Sequence, residues 1–338
     1  MQQKINERRR SRHVVTLLAS VTLVSGLAAA CSSSSETGSG ALRTVTARMD
    51  WVPSSEQAPF YLALARGYYK DAGLNVTLLN GTGSSGTTQD IAAGKDTFGY
   101  AAFSIVAGAK TGQLEDVCTL MQNDPTSIVS LKSDPITSPT QLYGKKVGYP
   151  VGGLTIPNAA FFAGAHLDAS KIQLVGLSFS DYYPALLSGK VQADIMWWSN
   201  DAPIVAAQKP IAPPMLYSKY GANMLSESII VRKSLVAQDP KLVRGFVQAT
   251  IRGIHAMTQD PAAAVQAIKQ YQPTFDTHTV LTQIQHMGQF LHTANTAGKQ
   301  YCWTSPTDVR TSQTLLQKYS GLPTSVNLQN MVTNQFVG

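Results

Sequence analysis

Leu74-Asn-Val-Thr-Leu-Leu79, followed after one residue by Gly81-Thr-Gly-Ser-Ser-Gly-Thr-Thr88, is the stretch on which the fold turns. A short β-like run ends in small and hydroxyl residues that open a helix, which is the junction of an α/β unit. The pattern recurs where Lys146–Tyr149 runs into Val151-Gly-Gly-Leu-Thr155, and where Ile172–Leu177 runs into Ser178-Phe-Ser-Asp181. Each junction presents backbone N–H groups and hydroxyls at a helix start, where polar or anionic ligand atoms are held. In open α/β sheets these ends line the ligand crevice. Taken singly, Thr87, Thr155 and Ser180 or Asp181 read as plain N-caps; three such junctions in one chain point to a cleft.

Working outward, the alternation predicts strands at Thr44–Met49, Leu74–Leu79, Phe98–Ala102, Val117–Gln122, Lys146–Tyr149, Ile172–Leu177, Ala193–Trp197, Met215–Tyr217 and Ser228–Val231, largely parallel. A helix is expected over Gln57–Lys70, stopped near Gly73. From Asp239 the pattern is helical: Pro240–Thr258, Pro261–Tyr271, Thr277–His292 and Pro306–Tyr319, with prolines at three of the starts.

Several chemistries are excluded. Gly81-Thr-Gly83-Ser-Ser-Gly86 matches the dinucleotide fingerprint in form, but the next strand ends Ala101-Ala102-Phe103-Ser104 without the acid that would hold a ribose. No nucleophile elbow is present, and the six histidines form no zinc-spaced cluster. Catalytic residues, cofactor and metal are therefore not expected. Aromatics gather at strand ends instead: Trp51, Tyr149, Phe179, Tyr182, Trp197 and Trp198. Two adjacent tryptophans on a strand face opposite ways, so one packs inward and the other, Trp198, is assigned to the cleft.

The N-terminus reads as an export signal over residues 1–30: a basic head with Lys4, Arg8, Arg9, Arg10 and Arg12, an apolar stretch from Val14 to Leu27, then small residues. Ala28-Ala29-Ala30-Cys31 resembles the lipobox of bacterial lipoproteins, with its Leu one place early at Leu27, so the signal is either cleaved with lipidation of Cys31 or cleaved without it. Residues 31–42, rich in Ser and Gly, have the composition of a flexible tether. The formal charge of +7 falls to +3 once residues 1–30, with five Lys/Arg and one Glu, are set aside. No basic block interleaved with aromatics remains, so nucleic-acid binding is not expected. Cys118 and Cys302 are either a disulfide in an oxidising compartment or two buried thiols.

Asp50-Trp51-Val-Pro53, Gln57-Ala-Pro59, Ala65-Arg-Gly67-Tyr-Tyr-Lys70-Asp-Ala-Gly73 and Ala92-Ala-Gly94-Lys95 follow one another at a characteristic spacing. Leu142-Tyr-Gly144-Lys145-Lys146-Val147-Gly148-Tyr149, Ala185-Leu-Leu187-Ser-Gly189-Lys190-Val191, Asp239-Pro240-Lys-Leu-Val243-Arg244 and Thr333-Asn334-Gln335-Phe336 continue the series. Over residues 44–337 the chain resembles the NMT1/THI5-like family of ABC-transporter solute-binding proteins. The resemblance implies a type II periplasmic-binding-protein fold: an α/β chain in two lobes joined by a two-crossing hinge near Ile128–Leu131 and Glu227–Val231. Lobe 1 is expected to combine 43–127 with 230–338, and lobe 2 to be 128–229. The family includes binders of pyrimidine thiamine precursors, alkanesulfonates, taurine, nitrate and riboflavin, and the Asp50-Trp51 opening is most similar to the pyrimidine branch. The eukaryotic pyrimidine synthases of the family carry a reactive His where this chain has Gln57, so their chemistry is not expected. Ser199 also replaces the Trp of the aromatic-Trp-Asn run usual in pyrimidine binders, while Asn200 matches it.

The expected function is an extracytoplasmic, lipid-anchored, monomeric receptor that passes a small heteroaromatic solute to an ABC permease and its ATPase. In this reading Asp50 accepts ligand N–H groups, Trp51 and Trp198 stack, and Gly83, Ser84, Ser85, Gly152 and Thr155 donate. Gln57, Ser104, Asp181, Asn200 and Glu227 complete the binding set. The alternatives are an anion receptor of the same fold for alkanesulfonate, taurine or nitrate, and, in another class, an exported enzyme or a signalling lipoprotein.

Overall fold

Along Arg43–Arg48 (β1), Val45 and Ala47 are buried while Arg43 and Thr44 stay in solvent, the alternation of a strand with one face on a core. A computed structural model describes residues 41–109, 112–151, 155–178 and 180–338. The further strands are β2 (Leu74–Leu79), β3 (Phe98–Ala102), β4 (Leu114–Thr119), β5 (Thr126–Ser130), β6 (Lys146–Pro150), β7 (Gln173–Leu177), β8 (Ala193–Trp197), β9 (Met215–Leu216) and β10 (Glu227–Arg232). They form two five-stranded sheets, β2-β1-β3-β10-β4 and β7-β6-β8-β5-β9.

The sheets are largely parallel, as expected, with four strands of each running one way and a single strand running against them. β10 runs antiparallel to β3 and β4, and β5 antiparallel to β8 and β9. These are the two strands the chain enters on changing sheet: it leaves the first after Thr119, joins the second at Thr126, and returns between Leu216 and Glu227. A crossing that enters a sheet from the other lobe has no crossover helix to reverse its direction, so it pairs antiparallel. β5, absent from the sequence reading, is buried on both faces and shows no alternation.

Each sheet carries its own core. In the first, Phe98 stacks on Phe246 of helix Pro240–Gln259 with centroids 3.9 Å apart; in the second, Phe161 stacks on Tyr217 at 4.2 Å. Helix Pro306–Ser320 joins a further cluster to the second core, with Leu316 packed among Phe103 and Met224, and Leu315 and Tyr319 against the second core. The helices of the C-terminal segment start where Asp-Pro and Ser-Pro pairs cap them: Asp239, Asp260 and Ser305 accept from the N–H groups of Leu242, Ala263 and Thr307. The expected helix over Gln57–Lys70 is divided into a 3-10 turn at Ser55–Gln57, helix Ala58–Ala65 and helix Tyr68–Asp71, because Gly67 takes a left-handed φ of 73°. Thr277–His292 likewise stops at Met287. No helix among the described residues is long and apolar enough to cross a membrane. Cys118 and Cys302 are joined as a disulfide.

Candidate functional site

The Gly81–Thr88 stretch works as a clamp. A Cβ on Gly81 would lie 2.0 Å from the Met49 carbonyl, so only glycine lets this backbone close on the end of β1. Gly81 and Gly83 then donate to the carbonyls of Trp51 and Asp50 at 3.2 and 2.6 Å, and Thr87 Oγ1 donates to Met49 at 2.9 Å. Met49–Trp51 is fixed in this way with the Asp50 carboxylate aimed inward, where Gln57 Nε2 donates to it at 2.8 Å. Gln57 Oε1 accepts from Ser54 N and Oγ, so both ends of the amide are occupied in closing the 3-10 turn.

That turn sets Glu56 in a seam between the lobes. Glu56 and Glu227, at the head of β10, are buried, as is Tyr100 on β3. Asp124 in the first crossing accepts from Thr126 N at 2.8 Å, and Asp201 beyond β8 accepts from Trp197 N at 2.9 Å and Tyr183 Oη at 2.8 Å. Burial pushes the Asp50 carboxyl up to about 6 despite its bond from Gln57. It pushes Glu56 well above the carboxylate range, helped by the charges of Asp50, Asp201 and Asp124. Glu227 is raised in the same way by burial, then by Asp50, Glu56 and Asp124. The Tyr100 hydroxyl is raised by burial, then by Glu227, Glu56 and Asp50. These groups, drawn from both lobes and a crossing, share one electrostatic environment.

Four atoms around this seam have no hydrogen-bond partner: Glu56 Oε1, Tyr100 Oη, Ser199 Oγ and Glu227 Oε2. A buried unpaired polar group costs about 1–3 kcal/mol, and folded proteins hold few of them. All eight ion pairs of the described residues lie elsewhere, as in Arg48 with Asp96 or Arg252 with Asp71. No group of three or more His, Cys, Asp or Glu side chains among the described residues is disposed to hold a metal ion. The seam therefore offers acceptors and hydroxyls to something that donates.

Of the residues singled out in the sequence, Asp50, Gln57, Asn200 and Glu227 meet at this seam. Asn200 Oδ1 accepts from Ser55 Oγ at 3.1 Å, and its carbonyl accepts from Gln283 Nε2 at 2.7 Å, so it ties the second lobe to two elements of the first. Trp198 is half-buried, one face stacked on His286. Trp51 is 49% exposed at the loop after β1. Gly83 does not offer its N–H to a cleft, because that donor holds Asp50 in place. Ser84 Oγ accepts from Ala102 N, while Ser85 and Ser104 line a separate outer pocket with Thr88, Gln89 and Ile105. Asp181 is exposed and accepts from Ser178 Oγ at 2.7 Å. Thr155 begins a helix, and Gly152 and Cys31 lie outside the described residues. Glu56, Tyr100, Asp124, Asp201 and His286 were not singled out; Glu56 alone gave a sign, as a charge directly before an apolar helix.

Two α/β lobes, two crossings and an acceptor-lined seam between them define the architecture of the solute-binding proteins. The match to the family described as NMT1/THI5 like spans residues 54–264, more than half of the chain, and the chain belongs to that family. It is 26% identical over 312 residues to the riboflavin-binding protein RibY of Chloroflexus aurantiacus, covering 88% of this chain and 86% of that one. It is 22% identical to the formylaminopyrimidine-binding protein of Halalkalibacterium halodurans, over 77% and 78% of the two chains. A 4-amino-5-hydroxymethyl-2-methylpyrimidine phosphate synthase of Legionella pneumophila matches at 24% over 69% and 75%. In fold it is similar to the periplasmic aliphatic sulphonate binding protein SsuA of Escherichia coli, with a TM-score of 0.68, 12% identity and coverage of 86% and 92%.

Proposed function

We propose that the chain is the extracytoplasmic receptor of an ABC importer, which closes its two lobes on a small heteroaromatic solute rich in N–H donors, such as a pyrimidine thiamine precursor. The observation that carries this reading is the set of unpaired buried acceptors, Glu56 Oε1 and Glu227 Oε2, beside Asp50 and within one seam. A sulfonate or nitrate brings only acceptors to a seam already lined with unpaired oxygens; N–H donors pair with them. The relatives named for riboflavin and formylaminopyrimidine binding support a planar nitrogen heterocycle. Against the synthase reading, the Gln57 amide is consumed by Asp50 and Ser54 and is free for no reaction.

Closure about the stretches 120–125 and 221–226, which lie just before β5 and β10 and not within them as expected near Ile128–Leu131 and Glu227–Val231, a permease and ATPase as partners, and a lipid at Cys31 complete the proposal. Thermal melts with an aminopyrimidine, riboflavin, taurine and an alkanesulfonate test the ligand class: the heterocycles are expected to raise Tm most, and a shift confined to the sulfonates overturns the reading. Detergent partitioning of wild type and Cys31→Ala tests the anchor, with only the wild type expected in the detergent phase.

A further inference from the structure

Glu227 and Tyr100 come from neighbouring strands, with Glu227 paired to Ala102 in the β10/β3 ladder, and both end in an unpaired buried oxygen. Glu56 brings a third from the turn after β1. Around them stand Asp50, Asp124 and Asp201, the last shielded by Tyr183. The aromatic His286 lies behind Trp198, and no lysine or arginine pairs with any of these carboxyls among the described residues. The groups influence one another yet are not gathered tightly enough to cage a metal ion.

Burying carboxyls without a counter-charge is stable only while they hold protons or while a partner supplies positive charge. No ion pair among the described residues supplies it. We infer that the seam binds its ligand as a cation: a ring nitrogen base takes a proton that the acidic seam holds when empty, and the resulting ion pair is the bound state. The proton moves from a seam carboxyl, Glu56 or Glu227, to the lone pair of the ring nitrogen; the O–H bond breaks, an N–H bond forms, and no co-reactant is needed. The raised pKa values of Glu56 and Glu227 keep the empty seam protonated near neutral pH, and transfer follows where the bound ring nitrogen, set among the remaining carboxyls, is the stronger base. Tyr100 Oη, also unpaired, is a further hydroxyl of the seam. This inference rests on the receptor reading above and sharpens it, because a neutral planar solute needs no such acid.

The test uses the full chain with 4-amino-2-methylpyrimidine, whose ultraviolet spectrum changes on ring protonation, and its non-basic oxo counterpart, 2-methylpyrimidin-4-one. The bound aminopyrimidine is expected to stay protonated at a pH where the free base is neutral, its apparent pKa raised by a unit or more, and to bind at least about tenfold tighter than the oxo compound. Glu227→Gln and Glu56→Gln should each lower that bound pKa. The wild-type titration needs neither variant to fold. An unshifted pKa in the complex, or equal affinity for the oxo compound, overturns the cation inference and leaves the receptor in place. If neither pyrimidine binds while riboflavin or taurine raises Tm, the inference fails and a receptor remains. If no compound binds, both fail.

Discussion

The indole of Trp198 and the imidazole of His286 stack with centroids 4.3 Å apart and planes within 10°, and His286 Nδ1 lies 3.1 Å from the Trp198 carbonyl oxygen. Trp198 follows β8 of the second lobe and His286 sits on helix Thr277–Met287, which packs on the first. The stack thus spans the seam and occupies one face of the tryptophan, leaving the other for a planar ligand or for the core. His286→Ala should remove about 0.5–1.5 kcal/mol of aromatic pairing, lower Tm, and widen the ligand-free protein in solution scattering. An unchanged radius of gyration and Tm would show that the stack holds nothing together.

Ser55 Oγ and Asn200 Oδ1 form a second tie across the seam, beside the Gln283 to Asn200 bond. A double-mutant cycle over Ser55→Ala and Asn200→Ala is expected to give a coupling of about 0.5–1.5 kcal/mol in urea unfolding. Additive single effects would mean that the two side chains do not act on each other in solution.

How much of this was legible in the sequence follows from the physics of each part. The βα junctions were, because strands and capped helices leave local periodicities: β2, β3 and β8 stand where their patterns put them, and Pro240, Pro261 and Pro306 open their helices. β5 was not, since a strand buried on both faces has no alternation to read. Asp50 and Asn200 are legible through the resemblance, and Glu227 as part of the polar rim expected around the ligand. Glu56, Asp124 and Asp201 were missed because a carboxyl in a turn or loop normally faces water, and only the meeting of distant segments buries these. The glycines of Gly81–Gly86 were read as ligand donors, whereas their close approach to Met49 and Asp50 is what the fold uses.

Cys118 on β4 and Cys302 close a loop with a sequence separation of 184. In the chain-entropy account, a loop of this length constrains the unfolded chain by about 5 kcal/mol. Reduction, or Cys302→Ser, should therefore lower Tm by several degrees, measured by melts with and without reductant. Coincident melts, with thiol titration proving that the bond was cut, would contradict the expected contribution.

Asp194 gives the sharpest pH prediction. It lies on β8 against Gly148 of β6, fully buried, with both carboxylate oxygens unpaired. Burial, and then the charge of Asp201, raises its pKa to about 8. An acid with a folded pKa above its unfolded one binds protons more strongly in the folded state, so stability falls as pH rises between the two values. The contribution is complete below the ordinary carboxylate range and gone once pH passes about 8. Asp50, Glu56 and Glu227 are shifted the same way and add to the decline. Wild type should lose stability from pH 5 to 8.5, and Asp194→Asn, which keeps the shape without the charge, should flatten that slope and be more stable at pH 8.5 by on the order of 1–3 kcal/mol. Urea unfolding of both proteins at the two pH values decides it: parallel losses would mean that Asp194 finds a partner in solution and does not carry the pH dependence.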